Sequence, residues 1–238
     1  LDTSNDSLRD RASLPVSRPS VRLARVRKET ERYMSLKERI ESKDALVGVM
    51  GLGYVGLPLA VAFAQAGFKV LGTDIKKARV KMVNAGESYI GDVEPAELKA
   101  LVVKGVISAT SDFENLRGCD AINICVPTPF TLSKEPDLSY VVSSSKQISK
   151  RLKREQLIIL KSTTFPETTE KVVLPILEES GLTVGRDFYL AYSPERIDPG
   201  NKDFTMRNTP VVVGGVTEKC TGMAELLYRK VLDKVFTV

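Results

Sequence analysis

Residues 45–74 read ALVGVMGLGYVGLPLAVAFAQAGFKVLGTD, and this stretch constrains the fold more than any other in the chain. A short apolar run, Ala45 to Met50, meets Gly51-Leu52-Gly53-Tyr54-Val55-Gly56. A helix-like segment follows, then a second apolar run that closes on Asp74. Strand, GxGxxG turn, helix, strand and acid in that order are the parts of a dinucleotide-binding βαβ unit. In such a unit the glycines allow a tight turn, close approach of the backbone to a pyrophosphate and close helix–strand packing. The helix start offers backbone N–H groups and a positive dipole end to the phosphates. Asp74 lies 21 residues after Gly53, a spacing that suits the acid holding the adenosine ribose hydroxyls. A carboxylate there repels a 2′-phosphate, which favours NAD.

The remainder of the chain keeps alternating between the same two element types. Lys76–Gly86 and Glu94–Lys104 read as helices, the second entered through Glu94-Pro95 with Pro in the first turn. Val106–Thr110, Cys119–Val126, Gln156–Leu160, Tyr189–Tyr192, Pro210–Val213 and Val235–Val238 read as strands. Leu138–Leu152, Glu167–Ser180 and Thr217–Lys230 read as helices. Alternation with largely apolar strands predicts an α/β fold of Rossmann type: a doubly wound, mostly parallel sheet with helices on both faces. Ligands of such sheets sit beyond the carboxyl ends of the strands.

Those strand ends carry polar groups. Gly51–Gly56 follows the first strand, Asp74 the second, and Val126-Pro127-Thr128-Pro129 another. Lys161-Ser162-Thr163-Thr164 and Ser193-Pro194-Glu195-Arg196 follow two more. Thr128 and Thr163 are placed to hydrogen-bond the nicotinamide half of a cofactor or a nearby water. Glu195 is placed to hold or deprotonate a reacting hydroxyl or water.

Composition narrows the chemistry. The 238 residues contain no histidine, which excludes His-based acid–base catalysis and His metal sites; no metal is expected. Cys119, Cys125 and Cys220 are odd in number and lack metal-ligand spacing, which points to a reducing, cytoplasmic setting. No apolar run approaches the roughly 18 residues that span a bilayer, and no signal-peptide pattern opens the chain. Residues 1–43 hold eleven Lys and Arg against seven Asp and Glu, +4 of the chain's net +5. They are expected to form a basic, partly disordered extension with a packing helix near Glu29–Glu41, ahead of a cofactor-binding domain over residues 44–238. Neither a nucleic-acid nor a membrane partner is expected, since no aromatic interleaving accompanies the charge.

VGVMGLGYVGLPLA, VPTP, PDLSYV, KSTT, TTEKVVLPILEESGL and AYSPERIDPGN together resemble the nucleotide-sugar 6-dehydrogenases, the UDP-glucose and UDP-N-acetylhexosamine dehydrogenases. The resemblance covers residues from about Asp44 to Val238. It implies NAD as cofactor, a UDP-sugar as substrate, and a twofold oxidation of the sugar C6 alcohol to a uronic acid for polysaccharide synthesis. It implies that Gly51, Gly53, Tyr54, Val55 and Gly56 cover the pyrophosphate, that Asp74 holds the ribose and that Arg79 packs near the adenosine. Thr128, Ser162 and Thr163 are then cofactor contacts, with Thr163 also ordering a catalytic water. Glu195 is the acid–base carboxylate, and Glu195, Arg196 and Ile197 line the substrate side.

The wording SPERIDPGN is similar to the N-acetylhexosamine branch; UDP-glucose is the alternative substrate. The family also implies a helical central domain, through which its members dimerise, and a second Rossmann-like domain with a Lys, an Asn and a nucleophilic Cys. These are not among the 238 residues. The chain is therefore expected to be the cofactor-binding part of a longer enzyme and inactive alone, or else a non-catalytic NAD-binding module. Without that central domain, helix Thr217–Lys230 and the last strand are expected to expose an apolar face.

Overall fold

The computed structural model describes residues 34–130, 136–196, 206 and 208–238. Ser35–Val238 form one compact unit. It opens with α1, Leu36–Ser42, whose start is fixed by a capping box. The Ser35 hydroxyl accepts the Glu38 N–H, and the Glu38 carboxylate accepts the Ser35 N–H. The helix stops at Lys43, which takes a left-handed φ of 65°.

Strands β1 (Leu46–Met50), β2 (Lys69–Thr73), β3 (Ile107–Thr110), β4 (Ala121–Ile124), β5 (Leu157–Leu160), β6 (Tyr189–Tyr192), β7 (Val211–Gly215) and β8 (Val235–Thr237) form one eight-stranded sheet in the order β3-β2-β1-β4-β5-β6-β7-β8. The order reverses between β1 and β4, so a topological switch point lies beyond their carboxyl ends. All of β4 and β5 is buried, as expected for central strands covered on both faces.

Side-chain alternation divides the core in two. Val47, Val49, Leu157 and Ile159 face a layer built by α1, by α2 (Gly56–Gln65) and by α7 (Glu218–Tyr228). Met50, Ile122, Ile158 and Leu160 face the other layer, which includes α5 (Ser139–Ser149) and α6 (Leu174–Glu178). Helices α3 (Lys77–Ala85) and α4 (Pro95–Val103) complete the βαβα run beside β2 and β3.

Three details refine or correct the sequence reading. β7 lies antiparallel to β6, while β8 runs parallel to β7. An antiparallel neighbour returns directly and needs no crossover helix, whereas α7 supplies the crossover from β7 to β8. The segment 167–180 is not one regular α-helix: a π-helical stretch, Thr169–Val173, precedes α6, and the Leu174 N–H reaches back five residues to the Thr169 carbonyl. Pro175, with no N–H to donate, stands just inside α6 where the ladder changes. Finally, α7 does not present an open apolar face. Cys220, Ala224, Leu227 and Tyr228 are buried against the sheet, while the exposure expected at the last strand is present, on Phe236 and Val238.

The Glu29–Glu41 expectation meets α1 only from Leu36; residues 1–33 lie outside the described residues. No helix among the described residues is long and apolar enough to cross a membrane.

Candidate cofactor and active site

The Gly-rich turn leaves β1 at the switch point. The Gly51 N–H donates to the Thr73 carbonyl at 2.7 Å and its φ is +92°, a left-handed value that a side chain resists. A Cβ on Gly51 would lie 2.5 Å from the Cys125 carbonyl oxygen, so the turn is pressed against the end of β4. At Gly56 a Cβ would stand 1.8 Å from the Gly51 oxygen, so α2 starts hard against the turn. Gly53 is different: the nearest heavy atom to an added Cβ is an Arg79 nitrogen at 4.0 Å. Its missing side chain leaves open space, which suits a group arriving from outside the chain. Val55 is the N-cap of α2 and no side chain caps that helix end, which leaves its positive pole to a ligand phosphate. Tyr54 is exposed beside it.

Asp74 ends β2 and is buried. Its Oδ2 accepts the Leu52 N–H at 2.9 Å and the Arg79 guanidinium at 3.2 Å; its Oδ1 accepts the Lys76 N–H at 2.8 Å. Arg79 lies 5.8 Å from the centroid of the Tyr89 ring, and the Tyr89 hydroxyl donates to the Leu52 carbonyl at 2.7 Å. Burial pushes the Tyr89 phenol up to about 12, with the Arg79 charge opposing, so it remains a hydrogen-bond donor at neutral pH. Leu52, Asp74, Arg79 and Tyr89 thus hold the turn and the acid in one frame. The open face at Gly53, the uncapped helix end and the fixed Asp74 carboxylate fit a dinucleotide with its pyrophosphate at α2 and a ribose at Asp74.

On the other side of the switch point, hydroxyls tie the loops after β4 and β5 together. Ser162 Oγ donates to the Val126 carbonyl at 2.7 Å, and its N–H donates to the Ile124 carbonyl at 3.1 Å. Thr128 Oγ1 donates to the Thr163 carbonyl at 2.7 Å. These two hydroxyls spend their protons inside the chain and reach a cofactor only as acceptors, whereas Thr163 stands exposed.

Glu195 follows β6. Its Oε1 accepts the Arg196 N–H at 2.8 Å, and its Oε2 lies 3.3 Å from the Lys161 ammonium. Arg196 is exposed, and Ile197 lies outside the described residues. The sequence reading missed the partners of Glu195. Lys161 carries on the alternation of Leu157 and Ile159 to the α7 face, and its ammonium stands 6.0 Å from the Tyr228 ring centroid. The Tyr228 hydroxyl donates to Asn123 Oδ1 at 2.9 Å. The strand period hinted at a buried Lys161; nothing in the sequence linked Tyr228 to it.

All three cysteines are buried. Burial pushes the Cys119 and Cys125 thiols up to about 12, only partly countered by Lys153 and Lys161 respectively. Cys220 accepts the Leu190 N–H through sulfur at 3.4 Å, inside the core.

Residues 45–232 match the model of the UDP-glucose/GDP-mannose dehydrogenase family, NAD binding domain. The chain is 39% identical over 191 residues to a UDP-N-acetyl-D-glucosamine 6-dehydrogenase of Pseudomonas aeruginosa, covering 80% of this chain and 44% of that one. It is 38% identical over 186 residues to a UDP-N-acetyl-D-mannosamine dehydrogenase of Pyrococcus horikoshii, covering 77% and 44%. The crystal structure of an NDP-N-acetyl-D-galactosaminuronic acid dehydrogenase from Methanosarcina mazei superimposes with a TM-score of 0.76 at 35% identity, over 86% of this chain and 46% of that one. The chain spans less than half the length of these relatives.

Proposed function

This chain belongs to the UDP-glucose/GDP-mannose dehydrogenase family and carries its NAD-binding domain, and on that premise we propose that it supplies the NAD-binding half of an enzyme oxidising the C6 hydroxyl of a UDP-sugar to a uronate. The observation that carries the reading is the convergence of two sites on one sheet edge. The Gly51–Gly56 turn with Asp74 lies on one side of the switch point, and the exposed Thr163 with the braced Glu195 carboxylate lies on the other.

Bound NAD would supply the hydride acceptor for each of two successive oxidations. The residues of this chain do the rest of the work at this edge. The start of α2 receives the pyrophosphate, and Asp74 accepts the ribose hydroxyls. Thr128 and Ser162 hold the β4 and β5 loops in register beneath the reactive end, and Thr163 orients a water. Glu195 accepts a proton from the reacting hydroxyl or from that water. Arg196 lines the substrate side. The covalent thiol step implied by the family does not fall to Cys119, Cys125 or Cys220, which are buried. Residues 35–238, α1 included, act as the cofactor domain, and the basic leader precedes them in the sequence.

A UDP-N-acetylhexosamine is the favoured substrate, supported by the named activities of the Pseudomonas and Pyrococcus relatives; the family resemblance makes surface polysaccharide precursors the favoured destination. The test is NADH formation by the full-length protein with UDP-N-acetylglucosamine, UDP-N-acetylmannosamine and UDP-glucose in turn. The reading expects two NADH per acetylated sugar, and loss of turnover by about a hundredfold or more in Glu195→Gln and Thr163→Ala. Turnover of UDP-glucose alone moves the substrate to the other branch, and NAD binding without turnover of any sugar leaves a cofactor-binding module.

A further inference from the structure

Lys161 is one of the largest fully buried side chains of the described residues, with 1% of its surface exposed. Its ion pair with Glu195 lies 2% and 12% exposed on the two side chains. A buried ion pair is seldom required for stability, since apolar residues of like volume serve a core as well or better. The position of this one is informative. The ammonium sits below the sheet edge, held from behind by the Tyr228 ring, whose hydroxyl is anchored on Asn123 in the middle of β4. The carboxylate sits at the edge, with Oε1 on the Arg196 N–H and Oε2 on Lys161. Oε1 is held by a hydrogen bond and Oε2 by the counter-charge of Lys161, which together set the direction of the carboxylate.

We propose that Lys161 is a positioning residue for Glu195: its buried ammonium supplies the counter-charge and fixes the orientation of the carboxylate, with Tyr228 and Asn123 fixing the ammonium in turn. The inference rests on the role given to Glu195 above. It extends the site through β5 and α7 to residues that touch neither cofactor nor sugar. Preorganisation of this kind acts on the chemical step, because a base already aimed at its proton does not reorganise during reaction.

The experiment uses the full-length protein with Lys161→Met, Lys161→Arg, Glu195→Gln and the Lys161→Met/Glu195→Gln double variant. Removing one partner strands a buried charge, so Lys161→Met lowers Tm and adding Glu195→Gln restores at least about half of the loss. In folded Lys161→Met, kcat falls about tenfold or more while KM for NAD stays within about twofold, and Lys161→Arg recovers most of the lost kcat. Additive Tm changes overturn the coupling of the pair. A folded Lys161→Met enzyme with kcat within about twofold of the parent overturns the positioning role, leaving a structural ion pair. If Lys161→Met fails to fold, Lys161→Gln is read by the same two criteria. Full turnover in Glu195→Gln removes the role of Glu195 itself, and the Tm cycle, which needs no activity, still decides whether the pair is coupled.

Discussion

The Asp74 carboxylate and the Leu52 N–H lie 2.9 Å apart, a bond between the end of β2 and the turn that follows β1. The acid proposed to hold a ribose therefore also holds the shape of the turn. Asp74→Ala strips the partners from two backbone N–H groups, those of Leu52 and Lys76, and releases Arg79. The expected cost is about 2–3 kcal/mol in urea unfolding, together with a loss of NAD affinity of about tenfold or more by calorimetry. An Asp74→Ala chain as stable as the parent and binding NAD equally well contradicts the assignment.

Gly53 and Gly56 separate ligand space from packing space. A Cβ at Gly56 would collide with the Gly51 carbonyl at 1.8 Å, while at Gly53 it meets nothing closer than 4.0 Å. Gly56→Ala is expected to destabilise the fold by about 1–3 kcal/mol, with NAD binding lost as a consequence. Gly53→Ala is expected to keep the parent Tm within a few degrees and to weaken NAD binding about tenfold or more. Thermal melts with and without NAD distinguish the two variants, and a cold-stable Gly56→Ala or a tight-binding Gly53→Ala refutes the division.

Asp187 makes the fold sensitive to acid. It is held down to about 2 first by the Arg186 side chain, then by the Thr183 N–H, with Arg154 and Arg186 charges assisting against burial. Its folded value lies below the ordinary 3.8, so its contribution is fully present above about pH 4 and is lost as pH falls toward 2. Acid unfolding followed by circular dichroism should show a shallower loss of stability across that window in Asp187→Asn than in the parent. Identical slopes would show that Asp187 contributes nothing there.

The thiols should be silent in the folded chain. Cys119, Cys125 and Cys220 are all buried, and the first two are also held as thiols by their surroundings. An aromatic disulfide reagent at neutral pH is expected to react at under about a hundredth of the rate seen in denaturant, where all three titrate. One fast thiol in the native chain would reopen the question of a nucleophile in this domain.

Much of the cofactor half was legible because its parts are local. Within residues 45–74 the strand period, the three glycines and the terminal acid each state their backbone requirement in the residue itself. The structure adds that Arg79 and Tyr89, beyond that window, complete the frame. The helical pattern over 167–180 was legible as helix but not as π-turn plus α-turn, because the ladder lengthens by one residue over a single turn, too short a stretch for the side-chain period to register.

By itself the sequence determined the alternating α/β order, the Gly-rich turn, Asp74 as its acid and the collection of polar groups at strand ends. Backbone sterics, side-chain period and turn chemistry act over a few residues and so are written in the chain. Only the tertiary structure decided that β7 runs antiparallel to β6, that Thr128 and Ser162 tie two loops together, and that Lys161 reaches Glu195 with Tyr228 behind it. The loop ties and the Lys161–Glu195 pair join residues more than thirty positions apart. The Lys161 arrangement exists because α7 packs on the sheet face toward which Asn123 and Lys161 point, where a buried charge or amide must find whatever partner the packing brings within reach.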